Sequence, residues 1–317
     1  MTTLATLVER AADKTRFKTA ADYADFARAY LEFAETGLQA EIVCQNEEQY
    51  RFWQYRDDGN FNITRPLNAD LLVRAAESDT LGTQLLDMFD DPRSVEDDVA
   101  GRQFMCRGIY TLQQCIGAAL DALPAGKANT ARKITGDLFE RLIRLLLSQA
   151  GIDCHAGVVN IPVVVDGVEQ CRMSYQHDLI LESGGVVKCI GSVKTSSKDR
   201  IDKIFIDKFL FNSLTKTATP HIAVFLNDVQ RGKRTDRSYR VAATFLPGHF
   251  KGYTIALNPL DGVYYCDIRP NMTTDAFLAE RIGTIDALFC SDVWRLLATA
   301  EGVSADVEEL IDLDPPI

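Results

Sequence analysis

Three residues near the middle of the chain carry side chains that phosphodiester hydrolysis requires. Asp178 lies in the run QHDLIL (176–181), and Ser192 and Lys194 lie in VVKCIGSVK (186–194). Ser183, Gly184 and Gly185 separate the runs with hairpin-turn chemistry, so the two runs read as paired strands. Residues two apart on a strand face the same way, which puts Ser192 and Lys194 on one face. A hydrolytic metal site needs carboxylates to hold Mg²⁺ and a cation near the attacking water or the charged transition state. His177 is adjacent to Asp178, points to the opposite face and reads as structural.

The elements that must position these groups follow from periodicity. Apolar residues at three- and four-residue steps predict helices over 4–12 and 20–35, and an aromatic-rich stretch over 47–60 ends in turn residues. An acidic, proline-containing loop over 87–98 precedes a helix over 110–123, and PAGKAN (124–129) reads as a linker. A helix over 135–149 presents Leu138, Leu142, Leu145 and Leu146 on one side. Strands are predicted over 158–165, 173–181, 186–194, 221–226 and 239–245, with helices over 198–214 and 276–300. Helix, three strands, helix, strand describes an α/β or α+β chain, a mixed central sheet flanked by helices. Two regions are expected: a mainly helical 1–125 for DNA contact and dimerisation, and a catalytic core over 126–317.

Bulk composition permits this. The 317 residues are 46% hydrophobic and 25% charged, as in ordinary globular proteins. No apolar run reaches the roughly 20 residues of a membrane span, and eight scattered cysteines without a CxxC pair suit reduced thiols. A cytoplasmic protein without a membrane partner is expected. The net charge of −11 conceals an excess of +7 between Lys188 and Arg240, twelve Lys/Arg against five Asp/Glu. A basic stretch in an acidic chain marks a face for a polyanion. Its loop QRGKRTDRSYR (230–240) offers Lys233 and Arg234 to DNA phosphates.

Asp178, Ser192 and Lys194 together resemble the PD-(D/E)XK nucleases, in which an Asp opens one strand and an acidic-X-Lys tripeptide lies on the next. His177 stands where that family often has Pro, and Ser192 where it usually has Asp or Glu. The segment SVKTSSKDRIDKIFIDK (192–208) is similar to one branch of type II restriction endonucleases, those cutting sites with a CC…GG frame. That branch carries Ser-X-Lys and takes its missing carboxylate from the following helix, about thirteen residues beyond the lysine. The resemblance implies Asp178 and Asp207 as Mg²⁺ ligands, with Asp202 the other acid on that helix. At 100° per residue Asp207 shares a side with Arg200 and Lys203 and is favoured over Asp202.

The same resemblance implies roles for other residues. Glu140, on the helix before the hairpin, is the counterpart of a glutamate near the metal. Lys198, Asp199 and Arg200 match a basic-acidic-Arg triplet that reads C:G pairs; Arg contacts guanine O6/N7 and a carboxylate accepts from cytosine N4. Lys in the first position is similar to enzymes reading CC-N-GG or CC-W-GG and flipping the central bases. Trp53 or Tyr55, flanked by Arg51 and Arg56 for backbone contact, would stack such a base. The implied activity is Mg²⁺-dependent, site-specific cleavage of double-stranded DNA 5′ of the first C. A homodimer would perform it, with a tetramer also open. Two alternatives remain: a PD-(D/E)XK nuclease of repair or recombination, and a catalytically inactive DNA-binding protein on this fold.

Overall fold

The structure, a computed structural model, describes residues 2–56, 62–124, 126–198, 200–232, 239–299 and 311–313. Helices α1 (Leu4–Ala12) and α2 (Ala20–Gly37) open the chain. The Thr19 hydroxyl and the Asp22 carboxylate cap the start of α2 reciprocally. A small antiparallel sheet follows, of β1 (Leu38–Val43), β2 (Tyr50–Tyr55) and β3 (Leu67–Asn68). Beyond a short helix α3 (Gln84–Met88), helix α4 (Val99–Leu120) is buried along nearly all of its second half. It begins eleven residues before the predicted start at Tyr110, within one residue of the acidic loop's end.

Helix α5 (Ala128–Gln149) covers one face of the main sheet with Leu138, Phe139, Leu142, Ile143, Leu146 and Leu147 buried. It starts seven residues earlier than predicted, inside the presumed linker. Its first two turns bury only Ala131 and Thr135 and expose Arg132 and Lys133, so they lack the apolar repeat that marks a helix.

The main sheet contains β4 (Asp153–Val165), β5 (Val168–Ser183), β6 (Val186–Ser196), β7 (His221–Asn227), β10 (Gly262–Tyr265), β11 (Ile282–Thr284) and β12 (Ile311–Leu313), ordered β11-β10-β7-β6-β5-β4-β12. Strands β4 to β6 are antiparallel neighbours, whereas β6, β7, β10 and β11 run parallel. This is the expected mixed sheet between helices. Gly184 and Gly185 turn β5 into β6 with φ of 63° and 74°, the left-handed region that a two-residue hairpin turn demands. Asp166 and Gly167 do the same for β4 and β5, which makes that hairpin longer than its apolar pattern predicts.

Helix α6 (Ile201–Thr215) crosses the opposite face, with Phe211 packed among Ile180, Ile190 and Val159. Strands β8 (Val229–Arg231) and β9 (Val241–Ala243) form a separate ribbon, followed by α7 (Pro247–Ala256). The predicted helix over 276–300 is broken: β11 adds a parallel edge strand to β10 before helix resumes at Ile285. Three residues with a central Gly carry no strand signal of their own; pairing with β10 supplies it. One continuous core holds residues of α1, α2, α4 and α5 together with Leu179, Leu181, Cys189 and Val193 of the sheet. Among the described residues no helix is long and apolar enough to cross a membrane.

Candidate active site

The site forms where β5 and β6 part. Their pairing runs from the turn to Leu179 opposite Gly191 and stops there, while β6 continues beside β7 as far as Ser196 opposite Asn227. Asp178 lies one residue beyond the last pair. Its Oδ2 accepts the Val193 N–H at 2.8 Å, a side-chain bond that replaces the lost ladder bond. The Lys194 ammonium donates to the same Oδ2 and, at 3.0 Å, to Oε1 of Glu140 on α5. One turn beyond Glu140, the Arg144 guanidinium donates to the main-chain carbonyl of Asp178 at 3.1 Å, fixing β5 against α5. No motif marked Arg144; its position four residues after Glu140 is the signal that could have found it.

Asp207 projects from α6, with the Lys203 ammonium at 3.9 Å. Burial raises its pKa; Lys203 opposes the shift, and the negative charge of Asp178 adds to it. Glu140 is also raised, first by burial and then by Asp178. Lys194 departs in the other sense from what burial alone would cause. Desolvation lowers an amine, but Asp178 and Glu140 more than offset it and hold Lys194 above its ordinary value. Two carboxylates therefore hold one half-buried ammonium, with Asp207 close enough to feel the charge of Asp178. Asp202 lies elsewhere on α6, with a carboxylate oxygen 3.4 Å from Nδ1 of His249.

A hard divalent cation fits this set, because only oxygen donors are present and the acids repel one another. Among the described residues no three His, Cys, Asp or Glu side chains are gathered to hold a metal on their own.

Ser192 is half-buried opposite Ala223, on the Lys194 face of β6. His177 is buried against Phe211 and His221 on the α6 side of the sheet, and burial pushes it down to about 4. It is a neutral packing group at ordinary pH. Lys198 and Arg200 are exposed at the entrance to α6, and Lys198 donates to Gln230 Oε1 at 3.2 Å. Asp199, Lys233 and Arg234 lie outside the described residues. The Ser197 hydroxyl pairs with that of Thr244 at 3.2 Å and does not cap α6, whose N-cap position is Arg200.

The aromatic stretch lies apart from this cluster, in β2 of the small sheet. Tyr55 is fully buried, its hydroxyl donating to Ala118 O at 2.9 Å, and it presents no ring face to a base. Trp53 is almost as enclosed: it stacks 6.0 Å from Tyr30 and donates from Nε1 to Glu41, while lining a cavity of about 410 Å³. Arg51 pairs with Glu41 at 3.4 Å, and Arg56 donates to Leu38 O at 3.1 Å. Aromatic residues in this strand are used by the core, which character alone could not distinguish from a stacking role.

No family model matches the sequence, and no curated protein matches it. Among solved structures the chain is similar to the type IIP restriction endonuclease Kpn2I, with a TM-score of 0.65 at 14% identity over 93% of this chain and 98% of that one. A complex of the restriction endonuclease PspGI with substrate DNA aligns at a TM-score of 0.40 and 11% identity, over 72% of this chain and 98% of that one. The Kpn2I likeness extends over nearly the whole of both chains, and it shows that this protein has a restriction-endonuclease fold.

Proposed function

We propose that the protein is a type II restriction endonuclease that hydrolyses double-stranded DNA with Mg²⁺ at a palindromic CC-N-GG or CC-W-GG site. The observation that carries this reading is the meeting of Asp178, Glu140 and Lys194 at the parted end of a hairpin, with Asp207 near enough to feel the charge of Asp178. Asp178 and Asp207 would hold the cation, which when bound polarises the phosphate and lowers the cost of charge developing on it. The Lys194 ammonium lies beside the same carboxylate. From there it orients the attacking water and offsets negative charge as the phosphorus–oxygen bond breaks. Glu140 holds Lys194 in that position, and Arg144 holds the backbone of Asp178.

Lys198, Asp199 and Arg200 follow the catalytic strand directly in sequence, and the exposed Lys198 and Arg200 side chains stand before the start of α6, where they can approach base edges. A palindromic site needs a two-fold reader, so a homodimer supplies one active site to each strand. Digestion of a plasmid of known sequence with Mg²⁺, followed by sequencing of the ends, tests the whole reading. Discrete fragments beginning at the first C of a CC…GG frame are expected. No cutting with either Mg²⁺ or Mn²⁺ would refute it, and cutting confined to branched or nicked DNA would replace it with a structure-selective nuclease.

A further inference from the structure

The β4–β5 hairpin outruns the sheet that carries it. Strand β5 pairs with β6 only from Ser183 back to Leu179, yet it stays paired with β4 out to Val168 opposite Val165. Strand β12 adds to β4 only at 157–159. From Asp178 to Val168 the hairpin therefore continues as an arm of roughly 33 Å of extended chain, and among the described residues β5 has no strand but β4 beside it there. The root of the arm is packed, with Val159, Ile161 and Tyr175 in one cluster with Phe211 of α6. Its outer part is not. Every residue over 168–172 is exposed, and Val168 is 60% exposed. Val164 and Val165, 54% and 53% exposed, are consecutive on a strand, so both faces of the arm are open. Two strands open on both faces are marginal in water by themselves, and valines gathered at such a tip call for a cover.

Charge decides what that cover is. Over 160–176 the ionised side chains are Asp166, Glu169 and Arg172, and Arg172 is held by Glu169 at 2.9 Å. An arm with a net negative charge, its one cation already paired, is repelled by a DNA backbone. We infer that the arm docks on a second copy of this chain, the two arms lying together about a two-fold axis. The choice of partner rests on the palindromic reading above, which calls for two protomers. Such a contact is self-complementary, with the same valines supplied from both sides. Pro162 blocks strand addition along the outer edge of β4, whereas β5 has no proline over 168–177. The register shift at Val163/Val164 leaves 171–176 as the regular part of the β5 edge, the part open to a partner. Because the arm leaves the sheet at Asp178, joining two arms fixes the spacing of the two active sites.

The test is sedimentation equilibrium of the full chain without DNA. The unaltered chain should run as a dimer. Val164→Asp combined with Val168→Asp sets like charges on both sides of the contact and should raise the dimer dissociation constant by about 100-fold or more. Cys171 gives a second readout on the unaltered arm, since it is exposed and the other cysteines are buried. A short bifunctional maleimide should join two copies of the unaltered chain and should fail to join Cys171→Ser. A dimer that survives both aspartates, a dimer without a crosslink through Cys171, or a chain that cuts DNA as a monomer would overturn the arm contact and leave the cleavage reading untouched. An arm-linked dimer that cuts no DNA with Mg²⁺ or Mn²⁺ would instead remove the nuclease reading and leave the contact standing.

Discussion

Two clusters of carboxylates stand out among the described residues, and one of them has the makings of a reactive site. In the first, Glu140 and Asp178 share Lys194 at the parted end of the β5–β6 hairpin, and Asp207 is near enough to feel the charge of Asp178. In the second, beyond the ends of β7 and β10, Asp267 accepts from the Tyr50 hydroxyl and the Asn68 amide, both at 2.8 Å. There Arg269 bridges Glu47 at 2.7 Å and Asp228 at 3.6 Å. Burial lifts Asp228 to about 7 and Asp267 to about 6, so perturbed acids mark both clusters. The difference lies in what surrounds them. Donors from β2, β3 and the loop after β10 are built around Asp267, whereas Asp207 has one distant lysine among the described residues. A perturbed carboxylate signals function when its partner is missing from the fold, and structure when the fold already supplies one.

Apart from Asp178 itself, the largest effect expected of that contrast falls on Lys194. Lys194→Ala should reduce cleavage by about 10²–10³-fold, the usual loss when a charge-stabilising donor is removed, while binding in Ca²⁺ persists. Single-turnover cleavage and a mobility shift on one duplex check it together. Next comes Arg200→Ala, which should cost about 1–3 kcal/mol of discrimination between a CC…GG site and a single-base variant of it. Competition binding with the two duplexes measures that difference, and unchanged selectivity would remove Arg200 from the reading face.

The second cluster should respond in stability alone. The folded chain keeps a proton on Asp228 that the unfolded chain loses near 3.8, so stability should fall as pH climbs from about 4 to about 7 and level off above. Asp228→Asn should remove that decline and raise stability near neutrality by on the order of 1 kcal/mol, read by chemical denaturation at several pH values. The smallest effect is expected at Glu140. Glu140 and Asp207 are both raised, so protons compete with the cation at higher pH than at ordinary carboxylates, and the acid limb of cleavage should be displaced upward. Glu140→Gln relieves the repulsion and should move that limb down. A limb that stays in place would separate Glu140 from the site electrostatically.

The legible parts of this chain are those where local chemistry has one solution. Gly184 and Gly185 permit a tight turn, so the facing of Asp178 and Lys194 could be read from spacing. Parting of the strands could not, because it depends on Gly191 being the last residue of β6 to pair with β5 while β6 stays with β7. Glu140 came from a likeness to known nucleases, since a helical acid beside Leu138 and Leu142 normally faces water. The short strands β10 and β11 hold four and three residues and exist through their neighbours. Tyr55 shows the opposite failure: a ring between arginines suggests a ligand contact, yet the core claims it.

The nuclease reading requires that Asp178, besides accepting the Val193 N–H, serves the reaction. Plasmid cleavage in Mg²⁺ and duplex binding in Ca²⁺ should be measured side by side for the unaltered chain and Asp178→Ala. Loss of all cutting with site-specific binding retained is the predicted result; cutting by the variant at the rate of the unaltered chain would contradict it.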